Sequence, residues 1–145
     1  MRTAIVFFAA AMAMVVSGGF LTVPAGAHAA IAIGKPDDVA TGGLAMGVGY
    51  NYQTPEGAKL RALQECLAFK DAPLETRGLC TIIESFDRQC YAISLDPMAG
   101  TPGAGWAIAD KKDDAEQSAL ERCRRTAGSD RATFCVVTLS NCDAP

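Results

Sequence analysis

The sequence predicts an α+β fold: two degenerate ββαβ repeats forming one mainly antiparallel sheet, with both helices on one face and disulfides stapling the whole. Three observations predict it. A helical pattern ending in a cysteine occurs twice, at 54–66 and at 111–123; with Cys66 set on Cys123, Ala58 falls on Ala115, Ala62 on Ala119 and Leu63 on Leu120. Each pattern is followed by a cysteine inside an apolar run, Leu79-Cys80-Thr-Ile-Ile and Phe134-Cys135-Val-Val, which reads as a strand. A further cysteine, Cys90 or Cys142, closes each run.

The start of the chain reads as a leader. Arg2 precedes an apolar, uncharged run from Ala4 to Val16, and Pro24 and Gly26 then break any helix. Ala27-His28-Ala29 has the small-x-small form of a signal-peptidase site, so 1–29 is expected to be removed. A membrane anchor is the competing reading, but Gly18-Gly19 and Pro24 interrupt the apolar stretch, and no stable anchor is expected. Cleavage after Ala29 leaves 30–145, one domain by length, with halves near 30–89 and 90–145. Loss of Arg2 leaves 12 basic residues against 16 acidic ones. That balance gives no electrostatic reason to bind nucleic acid or anionic lipid.

In chain order, Ile31-Ala-Ile33 is a short strand. Residues 34–43 form a loop by their Lys35-Pro36-Asp37-Asp38 turn and Gly42-Gly43. Leu44 to Tyr52 is a second strand, in which Gly47 and Gly49 allow a close approach or a bulge. Thr54 caps the first helix, Pro55 suits its first position and Glu56 faces the positive end of the dipole. Its Ala58, Ala62, Leu63, Cys66, Leu67 stripe is made of small residues, which lets a helix lie close on a sheet. Residues 71–78 read as a polar loop. Leu79 to Phe86 and Cys90 to Leu95 are strands joined tightly by Asp87-Arg88-Gln89, a pattern expected of a hairpin. Cys90-Tyr-Ala-Ile93 echoes Ala30-Ile-Ala-Ile33 and opens the second copy, and Gly105-Trp106 is the expected counterpart of Gly49-Tyr50. In the second helix Asp113 and Glu116 resemble a capping box, Arg122, Arg124 and Arg125 lie in the last turn, and Gly128 ends it. Thr133 to Leu139 is the last strand.

Six cysteines behind a leader read as a disulfide framework. Their spacings of 14, 10, 33, 12 and 7 residues contain no Cys-x2-Cys zinc knuckle. Six cysteines permit 15 pairings. The duplication narrows them to Cys66–Cys80 and Cys123–Cys135 within the copies, leaving Cys90–Cys142, which is expected to join strand ends at the seam. Each local bridge is worth about 3 kcal/mol in the chain-entropy model, and the long one somewhat more.

Little in the chain carries chemistry. The single histidine, His28, falls inside the expected leader, which leaves no imidazole for nucleophilic catalysis or metal ligation. Asp37-Asp38 and Asp113-Asp114 read as turn and cap residues, and Glu84 as a solvent-facing strand residue. The glycines at 42–49 and 100–105 lack the phosphate-loop patterns. No catalytic, cofactor or metal site is expected. Tyr50, Tyr52 and Trp106 are the candidate binding surface, with Tyr91 a further aromatic of interest. Packing over the sheet is the plainer role for all four.

Laid out this way, the chain resembles a family of small secreted bacterial proteins known as domain of unknown function 4189. The resemblance rests on Ala-Ile-Ala at 30–33, Gly-Tyr or Gly-Trp before each helix, Ala-x3-Ala-Leu-x2-Cys at 58–66 and 115–123, and the Cys-x-Ile/Val strands at 80 and 135. It covers nearly all of the chain after the leader. It implies an exported, cysteine-paired domain and supplies no activity or catalytic residues.

The function expected is that of a non-enzymatic, exported binding or accessory domain, periplasmic or extracellular, whose partner is an envelope or extracellular protein that it binds or inhibits. The alternatives are a carboxylate-dependent hydrolase acting on glycan, with two carboxyls about 5 to 9.5 Å apart, and a structural or stress-protective envelope protein.

Overall fold

A computed structural model describes residues 27–98 and 100–143. The leader expected over 1–29 therefore lies outside the described residues up to 26. The elements are β1 (His28–Gly34), α1 (Val39–Gly42), β2 (Ala45–Tyr52), α2 (Pro55–Leu67), α3 (Leu74–Arg77), β3 (Thr81–Asp87), β4 (Cys90–Leu95), β5 (Ala104–Ala109), α4 (Lys112–Ala127) and β6 (Val136–Cys142). A 3₁₀ turn, Ala132–Phe134, precedes β6.

The class is α+β, and each half is strand, strand, helix, strand, as expected. The sheet is not single. Two antiparallel three-stranded sheets form, in the orders β2-β1-β3 and β5-β4-β6. Nor do the helices share a face. Alternation along β1 sends Ala30 and Ala32 to one side, where Ala58, Ala62 and Cys66 of α2 cover them. It sends Ala29, Ile31 and Ile33 to the other side, where they meet Tyr91, Trp106 and Ile108 of the second sheet. β4 does the same, with Ala92 against Ala115 and Ala119 of α4. The layers run helix, sheet, sheet, helix. The reason is burial on both faces of β1 and β4: six of the seven residues of β1 are buried, which a sheet with one solvated face would not require.

Asp87-Arg88-Gln89 is accordingly not a hairpin turn. β3 pairs with β1, and β4 pairs with β5 and β6, so this link carries the chain from one sheet to the other. Arg88 bends it at φ 51°.

The strand register aligns the copies two residues away from the sequence echo. Gly47 and Gly105 hold the same place: a β-carbon on either would sit on a helix carbonyl oxygen, that of Ala62 or of Ala119. Only glycine lets the strand approach the helix this closely. Their strand partners are Ala32 and Ser94, so Ala30 corresponds to Ala92, and His28 to Cys90. Trp106 then matches Val48, and Tyr50 matches Ile108. Both outer strands slip register at equivalent places, between Ile31 and Ala32 in one copy and Ile93 and Ser94 in the other.

Disulfides join Cys66–Cys80, Cys123–Cys135 and Cys90–Cys142. The third lies within the second half, between directly paired residues of β4 and β6, and not at a seam between copies. The equivalent place in the first half holds His28 opposite Asp87.

Helix caps agree with sequence in one copy and differ in the other. Thr54 Oγ accepts from the Gly57 amide at 3.1 Å, and Pro55 starts α2. The N-cap of α4 lies two residues before the expected Asp113. Lys111 is the N-cap, without a side-chain bond, and Asp113 and Asp114 sit inside the first turn. Glu116 faces Lys112 and accepts from the Ser140 hydroxyl at 2.6 Å instead of closing a capping box. Two stretches read as loops contain single helical turns. Asp38 caps α1 through the Ala40 and Thr41 amides. These bonds, led by the Thr41 hydroxyl, hold its carboxyl below its ordinary value.

Candidate functional site

Stacking two sheets leaves two seams. At one, the outer strands β2 and β6 face each other; at the other, β3 and β5 do. Each of these strands pairs with one other strand among the described residues, so each has an outer edge that no strand covers. Side chains bond part of these edges: Asp143 accepts from the Asn51 amide of β2, and Thr126 and Arg122 bond the Ala104 and Trp106 backbone of β5.

The β2–β6 seam holds a groove. One part, about 490 Å³, is lined by the consecutive residues Met46 to Tyr50 of β2, by Tyr52, Phe69 and Tyr91, by Thr138 and Leu139 of β6, and by Arg61 and Glu65 of α2. The second part, about 520 Å³, shares Met46, Phe69 and Thr138 with the first and continues past Leu44, Pro73, Leu95 and Met98. The two form one trough along the seam. Its walls are mostly apolar, and Leu139 leaves 42 % of its surface exposed at the rim.

Tyr91 lies at the base. It is fully buried, with its ring 6.0 Å from that of Tyr50 and 6.1 Å from that of Phe86. Its hydroxyl has no hydrogen-bond partner among the described residues. Burial, with Tyr50 close by, pushes its pKa up to about 12. The hydroxyl therefore keeps its proton across physiological pH and stands as a donor beside an apolar groove. A buried hydroxyl without a partner is the exception in folded proteins and calls for a reason.

The candidate aromatics divide between the seams. Tyr50 and Tyr52 line the groove. Trp106 does not: half-buried against the inter-sheet core, it borders a smaller cavity of about 320 Å³ at the β3–β5 seam with Glu84 and Arg122. Arg122 is held there by donating to the Trp106 carbonyl at 2.7 Å. Glu84 is exposed. The seams differ residue by residue at equivalent places: Leu139 against Glu84, Val48 against Trp106, Tyr91 against Ala29, Glu65 against Arg122. Sequence reasoning did not single out Met46, Phe69 or Leu139. They come from β2, the loop after α2 and β6, and no motif links them.

At the far end of the trough Asp96 is bound by Arg131, Nε to Oδ2 at 2.7 Å and Nη2 to Oδ1 at 2.6 Å, and Oδ1 also accepts from the Met98 amide. The guanidinium lies 4.2 Å above the Phe134 ring. The Arg131 bonds hold the Asp96 carboxyl down at about 2. The pair clamps the 97–103 loop and the turn before β6 onto the end of β4. Asp113 and Asp114 lie on the first turn of α4, away from the groove linings. Among the described residues no group of three His, Cys, Asp or Glu side chains is placed to hold a metal, and no helix is long and apolar enough to cross a membrane. Three disulfides point to an oxidising, exported setting.

Residues 28–142 match the model of a family described as Domain of unknown function (DUF4189). No curated protein and no solved structure matches the chain.

Proposed function

The chain belongs to the DUF4189 family, and from that premise we propose that it is a non-enzymatic binding domain, periplasmic or extracellular, that takes an extended segment of an envelope or extracellular protein into the β2–β6 groove. The observation that carries this reading is the buried Tyr91 hydroxyl, without a hydrogen-bond partner among the described residues, at the base of an apolar trough bordered by β2 and β6. An extended peptide brings what this site lacks. Its backbone groups complete the ladder of β2, and its alternate side chains fill the apolar pockets. One of its carbonyls accepts from Tyr91 after the side chains covering that hydroxyl part, removing its desolvation cost. Tyr50 and Tyr52 add contact area at small entropic cost.

The charged groups support binding over catalysis. The carboxylates along the trough are Glu65, Asp71 and Asp96. Glu65 is paired with Arg61 and Asp96 with Arg131. Asp96 is held well below neutrality, the opposite of what a general acid requires.

The test is selection of a random peptide library on the oxidised protein, followed by backbone hydrogen exchange on the complex. The expected peptides are extended and apolar at alternate positions; they slow exchange in β2, and Leu139→Asp weakens them at least tenfold. Trp106→Ala leaves them unaffected. Peptides that protect the Trp106 seam instead, or no peptide at all, would sink the reading.

A further inference from the structure

The geometry of β1 bears on where the leader ends, and we infer that the exported protein is cut between Ala27 and His28. Two overlapping sites satisfy the small-x-small rule: Ala25-Gly26-Ala27 and Ala27-His28-Ala29. They differ by two residues, and those two residues matter to the fold. β1 is the central strand of its sheet and is paired on both sides from its first residue, His28 with Tyr52 and His28 with Asp87. Ala29 is fully buried in the core between the sheets, and its carbonyl accepts from the Ser85 hydroxyl.

A cut after Ala29 removes both residues. It also places the new α-ammonium on Ala30, which has no exposed surface and packs beneath α2. A buried charge without a partner is among the most destabilising features a fold can carry. A cut after Ala27 leaves the new terminus on His28, which is only partly buried. It gives up one backbone bond, from the Arg88 amide to the Ala27 carbonyl at 3.0 Å. The family match begins at the same residue, 28. The exported protein then keeps its one imidazole, opposite Asp87, where the second copy has a disulfide.

The experiment is expression of the full chain with its own leader in an exporting host, then N-terminal sequencing of the exported product. The expected sequence is His-Ala-Ala-Ile-Ala. A product beginning Ala-Ile-Ala-Ile, or an uncut chain, overturns the inference. A variant gives a second reading that does not depend on stability. Ala25→Asp spoils the first site and leaves the second intact, so the product beginning at His28 should fall at least tenfold, replaced by precursor or by a product beginning Ala-Ile-Ala-Ile; a variant product with the same start and yield as the parent overturns the inference.

Discussion

Tyr91 and Ser94 carry buried hydroxyls with no partner among the described residues. An unmade hydrogen bond in the interior costs about 1 to 3 kcal/mol. Tyr91→Phe should therefore raise stability by about 1 kcal/mol while weakening any groove ligand. Ser94→Ala should be neutral or stabilising by a similar amount, since the first copy has Ala32 at that place. Urea midpoints for both variants check this; a fall in both would show that the hydroxyls are satisfied by water. Asp96 makes the opposite prediction. Its carboxyl is lowered from 3.8 to about 2 by Arg131. The stability it contributes is complete above the ordinary carboxylate range and is lost as pH falls from about 4 to about 2. Asp96→Asn should flatten that acid limb in a melting-temperature series and lower the melting point at neutral pH, where Arg131 loses its ion-pair partner.

At the level of elements, the contact between glycine strand and alanine helix is the part least tolerant of change. Gly47→Ala or Gly105→Ala puts a methyl group against helix backbone, which cannot rotate away as a side chain can. Each should cost about 2 kcal/mol or more, read as a lower urea midpoint at unchanged slope. α4 offers a gain instead. Its N-cap is Lys111, which makes no side-chain bond. Lys111→Ser should add about 1 kcal/mol by bonding a free first-turn amide, visible as a raised melting temperature.

For the whole molecule, the decisive feature is a core shared between the copies. Ala29, Ile31, Ile33 and Phe86 of one half pack on Tyr91, Trp106 and Ile108 of the other. Neither sheet has a second layer of its own on that face. Residues 90–145, expressed alone with both of their disulfides formed, should stay largely unfolded by circular dichroism; a cooperative melt would show that the halves are independent. The same shared core creates the groove, because stacked sheets whose outer strands do not pair leave a gap between those strands.

The sequence alone determined what repeats locally. Small residues at Ala58, Ala62, Ala115 and Ala119 announced helices lying close on strands, because the requirement for a small side chain is written at each position. Thr54-Pro55 announced one helix start, because a cap acts within one turn. The family could be recognised because its motifs are short and ordered along the chain. What the tertiary structure decided is non-local. That there are two sheets follows from β3 and β4 taking partners far from the Asp87-Arg88-Gln89 link between them, and a tight turn signal does not reveal that choice. The Asp113 cap failed because Lys111 and Lys112 could extend α4 by one half turn at little cost. Tyr50, Tyr52 and Trp106 looked like one surface from their similar places in the two copies, yet β2 and β5 border opposite seams, which parts Trp106 from the two tyrosines. The groove itself is assembled from β2, α2, β4 and β6. Its binding chemistry exists only once burial has stripped water from the Tyr91 hydroxyl, and burial is a property of the packed whole.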